Sequence, residues 1–223
     1  MSRRALGGLV ATIRAADGAR AAVGGWRLRP ASTSDVVQRS WLRRGGALTG
    51  HLRGLGRVTV DVLDERVDGA MPDEAAALHT VSGAPVWMRA VALRVDGEAL
   101  VVARSVTPLA ASHGVWLSMR RLGSRPLADL LYHDHGVSRT RLASSVILPG
   151  HPLYRLAAAL PAPDDAPASA RTFAPSQLPR RLLARRSVFA RKGVPLLIAE
   201  CFLPALWRRP DARDGGLVFP YRC

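Results

Sequence analysis

Three charged side chains fall where strand patterns place the interior. In Val86-Trp87-Met88-Arg89-Ala90-Val91-Ala92-Leu93, Arg89 shares a face with Trp87, Val91 and Leu93, because successive side chains of a strand point to opposite sides. In Leu100-Val101-Val102-Ala103-Arg104-Ser105-Val106, Arg104 goes with Leu100, Val102 and Val106. In Leu196-Leu197-Ile198-Ala199-Glu200-Cys201-Phe202, Glu200 goes with Leu196, Ile198 and Phe202. A buried charge without a partner is strongly unfavourable. These groups must therefore pair with one another, reach solvent, or meet a charged ligand. Two cations and one anion facing an apolar interior suggest a pocket for a small, mostly apolar anion. The competing arrangement is a buried Arg–Glu pair that only holds the sheet together. One glutamate cannot neutralise two guanidinium groups, and this favours the pocket.

Other chemistries find little footing. The chain has no GxxxxGK[ST], and no GxGxxG between a strand and a helix, so nucleotide cofactors lose their usual cradle. No GxSxG supports a serine nucleophile. Cys201 sits among apolar residues, which favours an inert thiol, and Cys223 is the last residue. Both are expected to be reduced, in a cytoplasmic protein. His133-Asp134-His135 offers too few ligands for a metal centre and reads as a solvated helix end, while His113 and His151 stand at no recognised spacing. Arg180-Arg181 and Arg185-Arg186 lack interleaved aromatic residues, so they read as a solvated strand edge rather than a nucleic-acid site.

The three charges need strands to carry them, and two hairpins are legible. One runs over 86–95, turns at Asp96-Gly97 and returns over 99–107; the other runs over 185–191, turns at Lys192-Gly193 and returns over 194–203. Alternation of Val58, Val60 and Val62 with polar residues predicts a further strand, and 137–148 can form another. Thr33 or Ser34 can cap a helix starting near Asp35 and broken by Gly45-Gly46. Short helices are expected after Ala47, within 74–78, over 115–122, from Pro126 to Tyr132 and over 154–160. The stretch from Asp64 to Pro85 otherwise reads as a mixed polar connection. Hairpins with short helices and no repeating strand–helix alternation imply an antiparallel α+β domain.

The chain has 223 residues and a formal net charge of +15. Lys192 is its single lysine, so arginine dominates the basic residues alongside abundant alanine, glycine and proline. That mixture reads as compositional bias with a solvated basic surface, and attraction of anionic substrates is a side benefit. No run of about 18 apolar residues predicts a membrane span. We expect an N-terminal arm at 1–33 that is poorly ordered, a domain at 34–205 with a Pro/Ala-rich insertion at about 149–179, and a tail at 206–223.

Six short blocks together resemble the bacterial chorismate lyases. They are Trp41-Leu42 with Ala47-Leu48-Thr49; Val86-Trp87-Met88-Arg89; Ala103-Arg104-Ser105-Val106-Thr107-Pro108; Leu122-Gly123-Ser124-Arg125-Pro126-Leu127; Arg185-Arg186-Ser187; and Leu196 to Pro204. They occur in the family's order across most of the chain. The resemblance implies a single curved antiparallel β-sheet with short helices forming flaps over a buried site. It implies conversion of chorismate to 4-hydroxybenzoate and pyruvate, the first committed step of ubiquinone biosynthesis, with no cofactor and no metal. By resemblance, Arg89 holds the ring carboxylate, Glu200 meets the ring 4-hydroxyl, and Arg104 is the candidate for the enolpyruvyl carboxylate. Leu48 and Leu127 would line the ligand through backbone groups. The family often has Met at the position of Leu48, Ser at Ala47, and Trp just before the Arg-Arg-Ser block. Chorismate and 4-hydroxybenzoate are the implied partners, for a monomer without nucleic acid or membrane insertion. The alternative is a non-catalytic domain of the same fold that senses an aromatic carboxylate.

Overall fold

Two tight turns organise the molecule. Asp96 and Gly97 have φ of 50° and 85°, and Lys192 and Gly193 have φ of 51° and 78°. Both are the left-handed pairs that match the twist of adjoining strands, and glycine takes the second position without strain. In the computed structural model, which describes residues 25–30, 34–132, 134–160 and 178–213, these turns join β2 (Pro85–Val95) to β3 (Glu98–Pro108) and β6 (Leu182–Arg191) to β7 (Val194–Phe202). With β1 (Val58–Gly69), β4 (Val137–Arg139) and β5 (Ala143–Ile147), they form one seven-stranded sheet in the order β1-β2-β3-β7-β6-β4, with β5 also on β6. All the pairings are antiparallel.

The hairpins are where the sequence places them, within a residue or two. β1 is longer than expected. It continues past an irregularity between Val62 and Asp64, and Glu65 then lies opposite Arg89. A β-bulge lets a strand absorb an extra residue and go on pairing, so the polar run from Asp64 to Gly69 is edge strand rather than loop. The expected strand over 137–148 is two strands, β4 and β5.

Both faces of the central strands are covered, which explains why β3 is buried almost throughout. On one face, α1 (Val36–Arg43) and α2 (Leu48–Arg53) bring Trp41, Leu42 and Leu52 against Val101 and Phe202. Asp35, one residue later than expected, caps α1 by accepting from the Gln38 N–H at 2.8 Å. On the same face, Trp116 and Met119 from a 3₁₀ turn (Leu117–Arg121) and the residue before it pack on Phe189 and Leu196. The single turn α4 (Leu109–Ser112) and α5 (Leu127–Leu131) also pack on this first face, whereas α3 (Pro72–Leu78) and α6 (Pro152–Ala158) lie on the other. The latter two cover Met88, Ala90, Val102, Leu197 and Cys201. The buried Cys201 thiol is pushed up to about 12 by burial, which keeps it unreactive.

Two terminal segments pack more than the sequence suggests. Trp26 is buried, its indole N–H donates to Asp73 at 2.8 Å, and Arg27 bridges to Ser144. The chain after β7 forms α7 (Pro204–Arg208) and α8 (Pro210–Arg213), and Trp41 donates to the Ala212 carbonyl at 3.1 Å. The rest of the expected arm, most of the Pro/Ala-rich insertion, His133 and Cys223 lie outside the described residues.

Candidate active site

Register, rather than the parity of any one strand, decides which charges meet. Arg89 lies opposite Ser105, Ser105 opposite Ile198, and Ala103 opposite Glu200. Residues directly opposite in a ladder share a face. Arg89, Ala103, Ser105, Ile198 and Glu200 therefore look the same way, toward α1 and α2. Arg104 lies opposite Ala90 and Ala199, on the reverse face. The expectation that all three charges share one interior is corrected here.

Arg104 is 5% exposed, and its Nε donates to Glu74 at 2.6 Å. Its Nη2 donates to Asp68 at 3.2 Å and to Glu74 at 3.3 Å. Next to it, Arg186 donates to Asp73 at 3.0 Å and stacks on Trp26. Arg104 thus belongs to a buried ion cluster that joins α3 to β1 and β3 at the back of the sheet. It has no contact with the cavity that Arg89 lines.

That cavity has a floor of sheet residues: Val60 from β1, Arg89, Val91 and Leu93 from β2, Ala103 and Ser105 from β3, Ser187 and Phe189 from β6, and Ile198 and Glu200 from β7. Two flaps roof it. One is the α1–α2 junction with Gly46, Leu48 and Thr49; the other is Pro126 and α5 with Leu127, Ala128, Leu131 and the following Tyr132. The Tyr132 hydroxyl donates to the Gly46 carbonyl at 2.7 Å, so the flaps touch. The slot is narrow and partly open to solvent.

Arg89 stands at one end, 2% exposed. One terminal nitrogen bonds to Glu65, and Nη2 donates to the Gly123 carbonyl at 2.6 Å. Each terminal nitrogen carries two N–H groups, so donors remain for a ligand. Glu200 stands at the other end. Strand spacing of about 4.8 Å and a rise of about 3.4 Å per residue put the two Cα atoms about 12 Å apart. The Glu200 carboxylate accepts from Arg185 Nε at 2.6 Å. Arg185 is fully buried and also donates to the carbonyls of Trp41 at 2.9 Å and Arg44 at 2.7 Å, at the end of α1. The Arg185-Arg186 pair is therefore interior, not the solvated edge that the sequence suggested. The site is a long, mostly apolar slot with a guanidinium at one end and a carboxylate at the other.

Leu48 and Leu127, expected by resemblance, both line the slot. The sequence reading missed Thr49, Ser105, Tyr132, Arg139 and Ser187, which line it too. Thr49 Oγ1 is buried with no hydrogen-bond partner among the described residues. Arg139 Nε donates to Ser187 at 2.9 Å, and its Nη1 donates to Tyr132 at 2.6 Å and Gly46 at 3.1 Å. Burial pushes the Tyr132 phenol up and the Arg139 guanidinium down. A signal existed for Ser105, which alternates with Ala103 and Thr107 as a small-residue face of β3. Arg139 lies on a three-residue strand, too short to show any alternation.

The sheet and its slot define an α+β protein with a roofed slot that carries a guanidinium at one end and a carboxylate at the other. The family profile described as chorismate lyase matches residues 28–212. A probable chorismate pyruvate-lyase of Bordetella avium strain 197N is 49% identical over 83% of this chain and 86% of its own length. The probable chorismate pyruvate-lyase 1 of Pseudomonas fluorescens strain Pf0-1 is 37% identical over 83% of this chain and 92% of its own. This chain belongs to the chorismate lyase family. Among solved structures, the effector domain of PhnF from Mycobacterium smegmatis aligns with a TM-score of 0.49 and 16% identity, over 72% of this chain and 90% of that one. That likeness assigns no function. No described helix is long and apolar enough to cross a membrane.

Proposed function

We propose that this chain is a chorismate pyruvate-lyase, converting chorismate to 4-hydroxybenzoate and pyruvate in the cytoplasm, as a monomer and without a cofactor. The observation that carries the site assignment is the placement of Arg89 and Glu200 on one face, at opposite ends of one roofed slot. Chorismate carries its ring carboxylate and its 4-hydroxyl at opposite ends of a six-membered ring. Arg89 takes the carboxylate, since a guanidinium fork matches it and a dry site strengthens the contact. Glu200 accepts a hydrogen bond from the 4-hydroxyl and is held in position by Arg185. Leu48 and Leu127 offer backbone groups and apolar cover from the two flaps.

The reaction breaks the bond between ring C3 and the ether oxygen. A proton leaves C4, the ring becomes aromatic, the ether oxygen becomes the ketone of pyruvate, and the methylene carbon gains a proton to become methyl. Aromatisation supplies the driving force. The protein's part is orientation and fixed charge at the two ends of the slot.

The test is to incubate purified protein with chorismate and follow 4-hydroxybenzoate by absorbance and pyruvate by a coupled reduction. Equal release of both supports the assignment. Folded protein that binds 4-hydroxybenzoate yet leaves chorismate intact supports the sensing domain instead.

A further inference from the structure

Chorismate is a dianion, and the slot contains a second cation on Glu200's side. Arg139 lies opposite Phe189 in the ladder, on the face that carries Glu200. Its guanidinium sits 5.0 Å from the centre of the Phe189 ring. Its hydrogen-bond acceptors are the Ser187 hydroxyl, the Tyr132 hydroxyl and the Gly46 carbonyl. All three are neutral. Arg89, Arg104, Arg185 and Arg186 each bond to a carboxylate, whereas among the described residues no carboxylate forms an ion pair with Arg139. A half-buried guanidinium that bonds only to neutral oxygens gains most from an incoming carboxylate.

The ligand's own connectivity supplies the other half. The enolpyruvyl arm leaves the ring at C3, beside C4. With the ring carboxylate on Arg89 and the 4-hydroxyl on Glu200, the arm lies at Glu200's end. We propose that Arg139 forms a second carboxylate subsite, binding the enolpyruvyl carboxylate of chorismate. This rests on the chorismate reading above. It gives Arg139 the role that the sequence suggested for Arg104. The same guanidinium bonds to both flaps, so taking up the carboxylate exchanges flap contacts for ligand contacts. 4-Hydroxybenzoate has no such arm and makes no demand on Arg139. The subsite therefore separates substrate from product.

The experiment compares the intact protein with Arg139→Ala and Arg139→Gln, the second keeping side-chain donors for Gly46 and Tyr132 without the charge. KM for chorismate and the dissociation constant for 4-hydroxybenzoate are measured for each. Losing a charge-assisted contact should raise KM by about tenfold or more and leave 4-hydroxybenzoate binding within about threefold. Equal weakening of both ligands, or no change in either, overturns the subsite. A measurement on the intact protein holds even if both variants unfold. There, 3-(carboxymethoxy)-4-hydroxybenzoate should bind at least about tenfold more tightly than 3-methoxy-4-hydroxybenzoate, and equal affinity overturns the subsite. If the intact protein converts chorismate while these differences are missing, only the subsite fails. If it does not convert chorismate at all, the underlying reading fails, and the subsite with it.

Discussion

Arg89 and Arg104 look alike in the sequence, each an arginine inside a hydrophobic strand, yet they differ in purpose. Arg89 faces a hollow with donors to spare, whereas Arg104 is paired with Glu74 and Asp68 on the reverse face. Arg89→Ala and Glu200→Gln are each expected to lower turnover by about 100-fold or more, since each removes a preorganised polar contact at the ring. Steady-state formation of 4-hydroxybenzoate checks this. Arg104→Ala should behave differently. It strands buried Glu74 and costs about 3–5 kcal/mol of stability. Urea unfolding reads that loss, and the fraction still folded should keep kcat/KM close to the original. The sequence could not separate these cases, for two physical reasons. Alternation fixes which side chains of one strand go together, but the offset between strands decides which faces coincide. The acids that satisfy Arg89 and Arg104 also come from 64–74, a stretch whose polar composition hid an edge strand. Glu200 could be placed correctly because its own strand has the plain hairpin signature.

Helix and strand boundaries were legible wherever turn chemistry is strict. Asp96-Gly97 and Lys192-Gly193 need positive φ at both positions, and few other dipeptides tolerate it. The flaps gave weaker signals, because helices of five and six residues leave no periodicity to read. Gly123 shows what such a segment depends on. Its φ is 54°, and its carbonyl accepts from Arg89 at 2.6 Å. A Cβ there would meet nothing within 4 Å, so the strain of substitution lies in the backbone alone. Gly123→Ala should cost about 1–2 kcal/mol and disturb the carbonyl that orients Arg89. The expected result is a lower melting temperature together with a raised KM for chorismate.

At the scale of the whole molecule, acid weakens the fold through two half-buried histidines. His151 caps α6 by accepting from the Leu153 N–H at 3.1 Å, and its surroundings include Asp73, Glu74, Arg104 and Arg186. His51 bonds to the Gly45 carbonyl on the first flap. Burial lowers both from 6.5. An unfolded chain takes up these protons near 6.5, and the folded chain only at lower pH. Stability is therefore fully present above that value and declines as pH falls below it. Thermal melts at pH of about 7.5 and about 5.5 should show the loss. His151→Gln should reduce the difference, and an unchanged difference would show that other groups carry it.

The middle of the slot's floor is made by what two residues lack. Ala103 and Ser105 put one carbon, and one carbon with an oxygen, where Val102 and Val106 fill the reverse side of the same strand. Depth there is inherited from the backbone itself, which no rotamer change can deepen or fill. A flat six-membered ring can lie close along such a surface. A bulkier side chain at either position would raise the floor toward the flaps, so the room left for a ring is set in the strand before any flap moves.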